Sequence, residues 1–256
     1  MFKITFLGTG TSQGIPVIGS DHPVSFSKDF RDKRLRSSIM IEYKNFNFVI
    51  DCGPDFRQQM LRTNCKKLDA IIFTHEHADH TTGIDDVRPF FFRQGEIPIY
   101  LHERVLKSLH ERFAYIFDPK QKYPGAPDFE VNLISKENDF QLLDLKVTPV
   151  ESNHLGIPVL GFRIGNFAYL TDVKTISELE LQKLKNLDSL VINALRYESH
   201  PSHLNVQEAL EIVDTIKPKN TFFTHISHIM GFHEEVCDKL PDSVSLAYDG
   251  LVLEIN

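Results

Sequence analysis

The segment "AIIFTHEHADH", residues 70–80, constrains this 256-residue chain more than any other. An apolar, β-favouring run passes directly into three histidines and an aspartate, and that much coordinating capacity at a strand end calls for something to coordinate. The pattern recurs. "FAYLTD" ends in Thr171–Asp172, "NTFFTH" in Thr224–His225, and "VTPVESNH" reaches His154 shortly after its last apolar position. Strands that deliver metal-competent side chains at one end require rigid sheets whose rims bring those ends together.

The remaining sequence supplies such sheets. Strand-like runs stand at "FKITFLG", "SSIMIEY", "FNFVID", "IPIYL", "GFRIG", "SLVINA", "SVSLAY" and "GLVLEI". Helical patterns lie between them. "PDFRQQMLRTNCKKL" opens on proline, and "ERVLKSLHERFAYIF" spaces Val105, Leu109, Phe113 and Phe117 four apart. Ser177 and Glu180 have capping-box spacing, and Asn205 with Glu208 can cap "NVQEALEIVDTIKP". Helices outside two central sheets, in one α/β domain over residues 1–256, accommodate the whole pattern, with "PKQKYPGAP" at 119–127 as a loop.

Charge narrows the partners. Acidic residues outnumber basic ones 35 to 28, a net charge of -7, which argues against a nucleic-acid polyanion and for a small substrate. The one basic cluster, Arg31, Lys33, Arg34 and Arg36 in "FRDKRLR", reads as a solvated turn or as a contact to a substrate phosphate. Cys52, Cys65 and Cys237 form no CxxC pair and fit small buried residues of a reducing compartment. No apolar run approaches the roughly 18 residues of a membrane span, and "MFKITFLGTG" reaches its glycine turn too soon for a signal peptide. The expectation is a cytoplasmic protein without a membrane partner, with a homodimer left open.

Imidazoles and carboxylates without thiolates suit zinc, manganese, iron or cobalt. Seven candidate ligands, His75, His77, Asp79, His80, His154, Asp172 and His225, exceed one four-coordinate ion. Two divalent ions would share them, with His75, His77 and His154 on the first, Asp79, His80 and His225 on the second, and Asp172 bridging. The isolated His22, His102, His110 and His233 are assigned nothing. His200 and His203 in "RYESHPSHLN" reach the same rim if strand "SLVINA" runs parallel to its neighbours.

"THEHADH", followed by His154, Asp172 and His225, resembles the metallo-β-lactamase-fold hydrolases. That resemblance implies a four-layer αββα sandwich with a two-metal site at one edge. "FLGTGTSQGIP", "IDCGPDFRQQMLR", "SHPSHLNVQEAL", "THISH" and "AYDG" are together similar to the phosphoribosyl 1,2-cyclic phosphate phosphodiesterase subfamily. The implied chemistry uses zinc or manganese and a hydroxide held between the ions, attacking the phosphorus of a small cyclic or linear phosphodiester. The resemblance favours His203 as the group that protonates the leaving alkoxide or holds a phosphoryl oxygen, with Asp79 as the other catalytic candidate. His228, Asp51, Asp249 and Arg88 are expected as supports or substrate contacts. One stretch departs from the subfamily: "VIGSDHPVSFSK" has no cysteine where an extra structural zinc would be held, which leaves the substrate open. The first rival is an RNA-processing endonuclease resembling tRNase Z, whose basic arm "DDVRPFFFRQGE" does not supply. The second is a non-hydrolytic metal- or metabolite-binding protein on the same fold.

Overall fold

Alternation along the strands decides which face each side chain takes. A computed structural model describes residues 1–255. The first sheet contains Phe2–Gly8 (β1), Ser38–Tyr43 (β2), Phe46–Ile50 (β3), Ala70–Ile72 (β4), Ile97–Leu101 (β5) and Phe129–Leu133 (β6). The second contains Phe140–Leu142 (β7), Leu145–His154 (β8), Ile157–Ile164 (β9), Phe167–Leu170 (β10), Thr175–Ile176 (β11), Ser189–Asn193 (β12), Asn220–Thr224 (β13) and Val244–Leu246 (β14). The last strand, Val252–Ile255 (β15), returns to pair antiparallel with β1. Strand orders are β15-β1-β2-β3-β4-β5-β6 and β11-β8-β9-β10-β12-β13-β14, with β7 added beside β8.

In β3, Phe48 and Ile50 face the space between the sheets while Val49 faces outward, and in β10 Phe167 and Tyr169 face inward while Ala168 and Leu170 do not. Both faces of each sheet are therefore apolar, and helices must cover the outer ones. Phe56–Arg62 (α1), Ala78–Thr81 (α2), Arg88–Gln94 (α3), Glu103–Arg112 (α4) and Ala114–Phe117 (α5) all lie in the first half of the chain. Phe56, Met60, Phe90, Val105 and Leu109 from this group pack on Val49, Ile71 and Ile99. Glu178–Gln182 (α6), Val206–Ile216 (α7) and His233–Cys237 (α8) follow in the second half. Val206, Ala209 and Val236 pack on Leu170, Leu190, Ile192 and Phe223. The result is the αββα sandwich, and the burial of each large side chain contributes about 1.5–3 kcal/mol to that layering.

Several local expectations meet a tertiary correction. The helix read across 103–117 breaks at Phe113, which leaves helical geometry at φ -124 and ψ 45. Strand β6 is a half-exposed edge whose "FEVNL" does alternate apolar with polar residues, and β7 and β11 are too short to show an alternation. Each cation of the basic cluster has a protein partner. Arg34 is 3% exposed and donates to the Thr9 hydroxyl, the Ala247 carbonyl and the His233 ring. Arg31 pairs with Asp29, Lys33 donates to the Ser25 carbonyl, and Arg36 pairs with Asp55 while donating to the Ser12 carbonyl. Carboxylates and carbonyls engage Arg31, Lys33, Arg34 and Arg36, and for Arg34 and Arg36 these partners are remote in sequence. Among the described residues, no helix is long and apolar enough to cross a membrane.

Candidate metal centre

Strands β3 and β4 run parallel, as do β10, β12 and β13, so their C-terminal ends open on one edge of the sandwich. Immediately past β3, β10 and β13 the backbone turns through left-handed residues, Asp51 at φ 68, Asp172 at φ 57 and His225 at φ 55. Such geometry costs of order 1–3 kcal/mol per non-glycine residue. It turns the chain sharply at the rim. The loop after β4 is held just as closely: the Cys52 amide donates to the His80 carbonyl at 2.8 Å, and the Gly83 amide to the Cys52 carbonyl at 2.9 Å. A Cβ on Gly53 would lie 2.0 Å from the Asp79 carbonyl oxygen, so only glycine fits there.

Asp172 is the hub of the cluster. Its Oδ2 lies 3.2 Å from His80 Nε2 and 3.3 Å from His225 Nδ1, and its Oδ1 is 3.7 Å from His203 Nδ1. Asp79 Oδ2 stands 3.3 Å from His80 Nε2. Ligand-type atoms gather within 4.8 Å of one another in three overlapping groups: His75, His80 and Asp172; Asp79, His80 and His225; His154, Asp172 and His203. The second group matches the set expected for one ion. His75, His77 and His154 are not gathered together in one of these groups. The rings of His75, His77 and His154 are neighbours at 4.6–5.9 Å between centroids, but the donor atoms of His75 and His154 group with Asp172, and His77 belongs to no close group.

Four of the imidazoles are oriented from behind. His80 Nδ1 donates to Asp51 at 2.6 Å, and His154 Nδ1 donates to the Ser202 carbonyl at 2.7 Å. Asp51 also accepts from the amide and hydroxyl of Thr74, whose oxygen lies 2.9 Å from His75 Nδ1. One carboxylate thus sets the tautomers of two histidines, one directly and one through a hydroxyl. His225 Nε2 is engaged by Thr11 Oγ1 at 3.2 Å. The opposite nitrogens, Nε2 of His75 and His80 and Nδ1 of His225, are buried without a hydrogen-bond partner, as is Nδ1 of His203. Buried unpartnered polar atoms are costly, and lone pairs converging on carboxylates fit a divalent cation.

Burial pushes His75 well down, and the neighbouring His80 adds to it. Burial opposes a charge on His80 as well, but Asp79, Asp172 and Asp51 outweigh it and hold that ring well above its ordinary value. His203 is pushed down to about 3 by burial first and then by His225.

The other candidates fall in different places. His228 lines a cleft of about 290 Å³ beside the cluster, together with Thr11, Gln13, Arg196, His200 and His203. Its ring stands edge-on to His22. Asp249 accepts from Thr9, the Leu35 amide and Arg62, and so ties the first loop to α1. Arg88 is not brought to the cluster: it pairs with Asp85 and lies over the Tyr123 ring. His22 and His102 serve as helix caps.

The sequence reading missed several contributors. Thr74 and Thr171 precede candidate ligands at strand ends, and that repetition was the available signal. Thr11 lies in the first glycine loop. Arg104 pairs with Glu76 at 2.9 Å, and Arg112 donates to the Glu76 carbonyl at 2.9 Å, so α4 braces the motif loop across a sequence distance that no local pattern reveals.

This fold and this edge cluster define a class, and the profile of the beta-lactamase superfamily domain matches residues 46–226. The chain belongs to that superfamily and is a metallo-β-lactamase-fold hydrolase; the fold implies divalent metal binding, with the His/Asp groups as candidate ligands. Within it, a crystallised diphosphatase of the PhnP family is 39% identical with a TM-score of 0.93, covering 100% of this chain and 98% of its own. An octanoyltransferase from Porphyromonas gingivalis is 39% identical over 97% of this chain, which spans only 51% of that protein. A ribonuclease Z from Borrelia garinii subsp. bavariensis is 24% identical over 100% of this chain and 97% of its own length.

Proposed function

We propose that the protein is a binuclear metal-dependent phosphodiesterase acting on small, cyclic or linear, phosphodiesters. The observation that carries this reading is the convergence of buried, unpartnered imidazole nitrogens on Asp172, beside a cleft that has Arg196 and three histidines among its lining residues and no acid. His75, His77 and His154 on one side and Asp79, His80 and His225 on the other would hold two zinc or manganese ions, with Asp172 between them. Ions in such a site supply an acidified water and neutralise developing charge on phosphorus.

The chain's own residues do the rest. Arg196, His200 and His228 line a cleft in which an anionic ester is oriented. His203, neutral in its buried setting, donates a hydrogen bond to a phosphoryl oxygen; the bound diester monoanion raises its proton affinity, and once the ring has taken up a proton from water it can pass that proton to the leaving alkoxide. Similarity to a diphosphatase favours a second reading, in which the scissile bond is a diphosphate P–O–P link in the same cleft.

A panel of cyclic and linear phosphodiesters, a dinucleoside diphosphate and a precursor tRNA, each tried with zinc and with manganese, tests the reading. Turnover of small diesters is expected. Efficient tRNA trailer removal, or stable metal binding with no turnover of any ester, would contradict it. Two alanine variants separate the roles. His225→Ala should lose metal and activity together, partly recoverable in excess metal. His203→Ala should keep its metal while turnover of alkyl esters falls roughly 10²- to 10⁴-fold, with a smaller loss on p-nitrophenyl esters. Loss of metal in proportion to activity would make His203 a ligand.

A further inference from the structure

Helices α1 and α3 lie on the outside of the first sheet and leave a groove of about 570 Å³ between them. Phe56, Met60 and Phe90 line it as buried residues, Leu61 and Pro89 are its exposed apolar flank, and Arg57, Lys66 and Arg93 surround it as exposed cations opposite one acid, Asp86. The volume and the apolar lining with a few charged groups are those of small-molecule sites. None of the three cations is held in an ion pair among the described residues, although many other cations of this chain are.

In a chain of net charge -7, three cations without an ion-pair partner, of which Arg93 lies over the Phe90 ring at 5.1 Å, form a local positive field over an apolar floor. A ligand complementary to both has an apolar tail and a single anionic head, and a planar carboxylate suits two guanidinium forks. Met60 adds an adaptable wall for a slender tail. The groove shares no lining residue with the cleft beside His203, so its occupant is not the substrate discussed above. Its walls nonetheless continue into the centre. Helix α1 follows the Asp51 loop, and α3 follows the segment from His80, where a Cβ on Gly83 would meet the Gly53 carbonyl at 2.1 Å and Phe56 at 2.7 Å.

We propose that this groove binds a soluble medium-chain carboxylate, tail against Phe56, Met60 and Phe90 and head between Arg57, Lys66 and Arg93. The chain contains no tryptophan, so Leu61→Trp places a single fluorescent reporter on the wall of the groove. The full-length, metal-loaded protein is titrated with hexanoate, octanoate, decanoate and decan-1-ol, and the unsubstituted protein is followed by calorimetry in parallel. Saturable binding is expected to tighten two- to fourfold per added methylene, the upper value corresponding to about 0.8 kcal/mol. Decanoate should bind about tenfold tighter than decanol. With Arg57, Lys66 and Arg93 all changed to Gln, that advantage should vanish while decanol binding and metal content stay unchanged. The proposal is overturned if calorimetry detects no binding to the unsubstituted protein, if affinity ignores chain length or charge, or if inorganic phosphate displaces decanoate, which would put the ligand in the metal cleft. Displacement by hexaglutamate at lower concentration than by octanoate would also overturn it, in favour of an acidic protein partner.

Discussion

Asp51 shows how much of the centre depends on a residue that need not touch metal. Its carboxylate is fully buried, burial pushes its proton affinity up, and His80 and Thr74 oppose that shift by donating to it. In Asp51→Asn the shape is kept but the charge is lost, and the amide can present a donor to His80 Nδ1, which selects the wrong tautomer at the nitrogen facing Asp172. Metal affinity should fall about 10- to 100-fold, the usual effect of removing such a partner. Titration with zinc after chelation measures it, and an affinity equal to that of the unsubstituted protein would show that the geometry of His80 does not depend on Asp51.

Two elements show how the rim is held. In α7, the Asn205 side chain accepts from the Glu208 amide at 2.8 Å while Glu208 accepts from the Asn205 amide at 2.9 Å, a reciprocal cap two residues after His203. Asn205→Ala should destabilise the fold by about 1 kcal/mol, a melting-temperature fall of about 2–4 °C at this chain length, with metal content unchanged. Metal loss alongside it would show the cap acting on the centre. In α8, His233 accepts from Arg34 at 3.2 Å through Nδ1, which requires an uncharged ring. Burial first, then Arg34 and Arg31, push His233 down to about 4 from an ordinary 6.5. Between those values the unfolded chain binds the extra proton, so stability present above about pH 6.5 is lost as the pH falls toward 4. Thermal melts across that window should show the loss, and His233→Gln should flatten its slope; an unchanged slope would assign the acid sensitivity to other groups.

For the whole molecule, the decisive fact is that the candidate ligands come from both sheets. His75, His77, Asp79 and His80 follow β4 of the first sheet, whereas His154, Asp172 and His225 end or follow strands of the second. An ion held by both sets ties the two halves of the sandwich together at one edge, and anything that binds only the folded state stabilises it by mass action. At a free metal concentration of 100 times its dissociation constant, an ion so held would contribute about 2.7 kcal/mol, which is roughly 5–10 °C in melting temperature. Calorimetry before and after exhaustive chelation should show that difference, and coincident melts would mean that no ion bridges the sheets.

The sequence by itself determined what is local: the strands with their alternating faces, the caps of α6 and α7, and the delivery of histidines and aspartates at strand ends, because backbone preference and side-chain chemistry are written residue by residue. It also carried the superfamily resemblance, since "HEHADH" packs several ligands into one turn. Only the tertiary structure decided which donor atoms meet. The left-handed turns at Asp51, Asp172 and His225 and the spacing of the two sheets set Asp172 at the hub, withdrew Arg88 to Asp85, buried Arg34, and placed Asp51 behind a histidine 29 residues away. Those outcomes depend on packing between segments remote in sequence, and a linear pattern records the chemistry of each segment but not the distance between them.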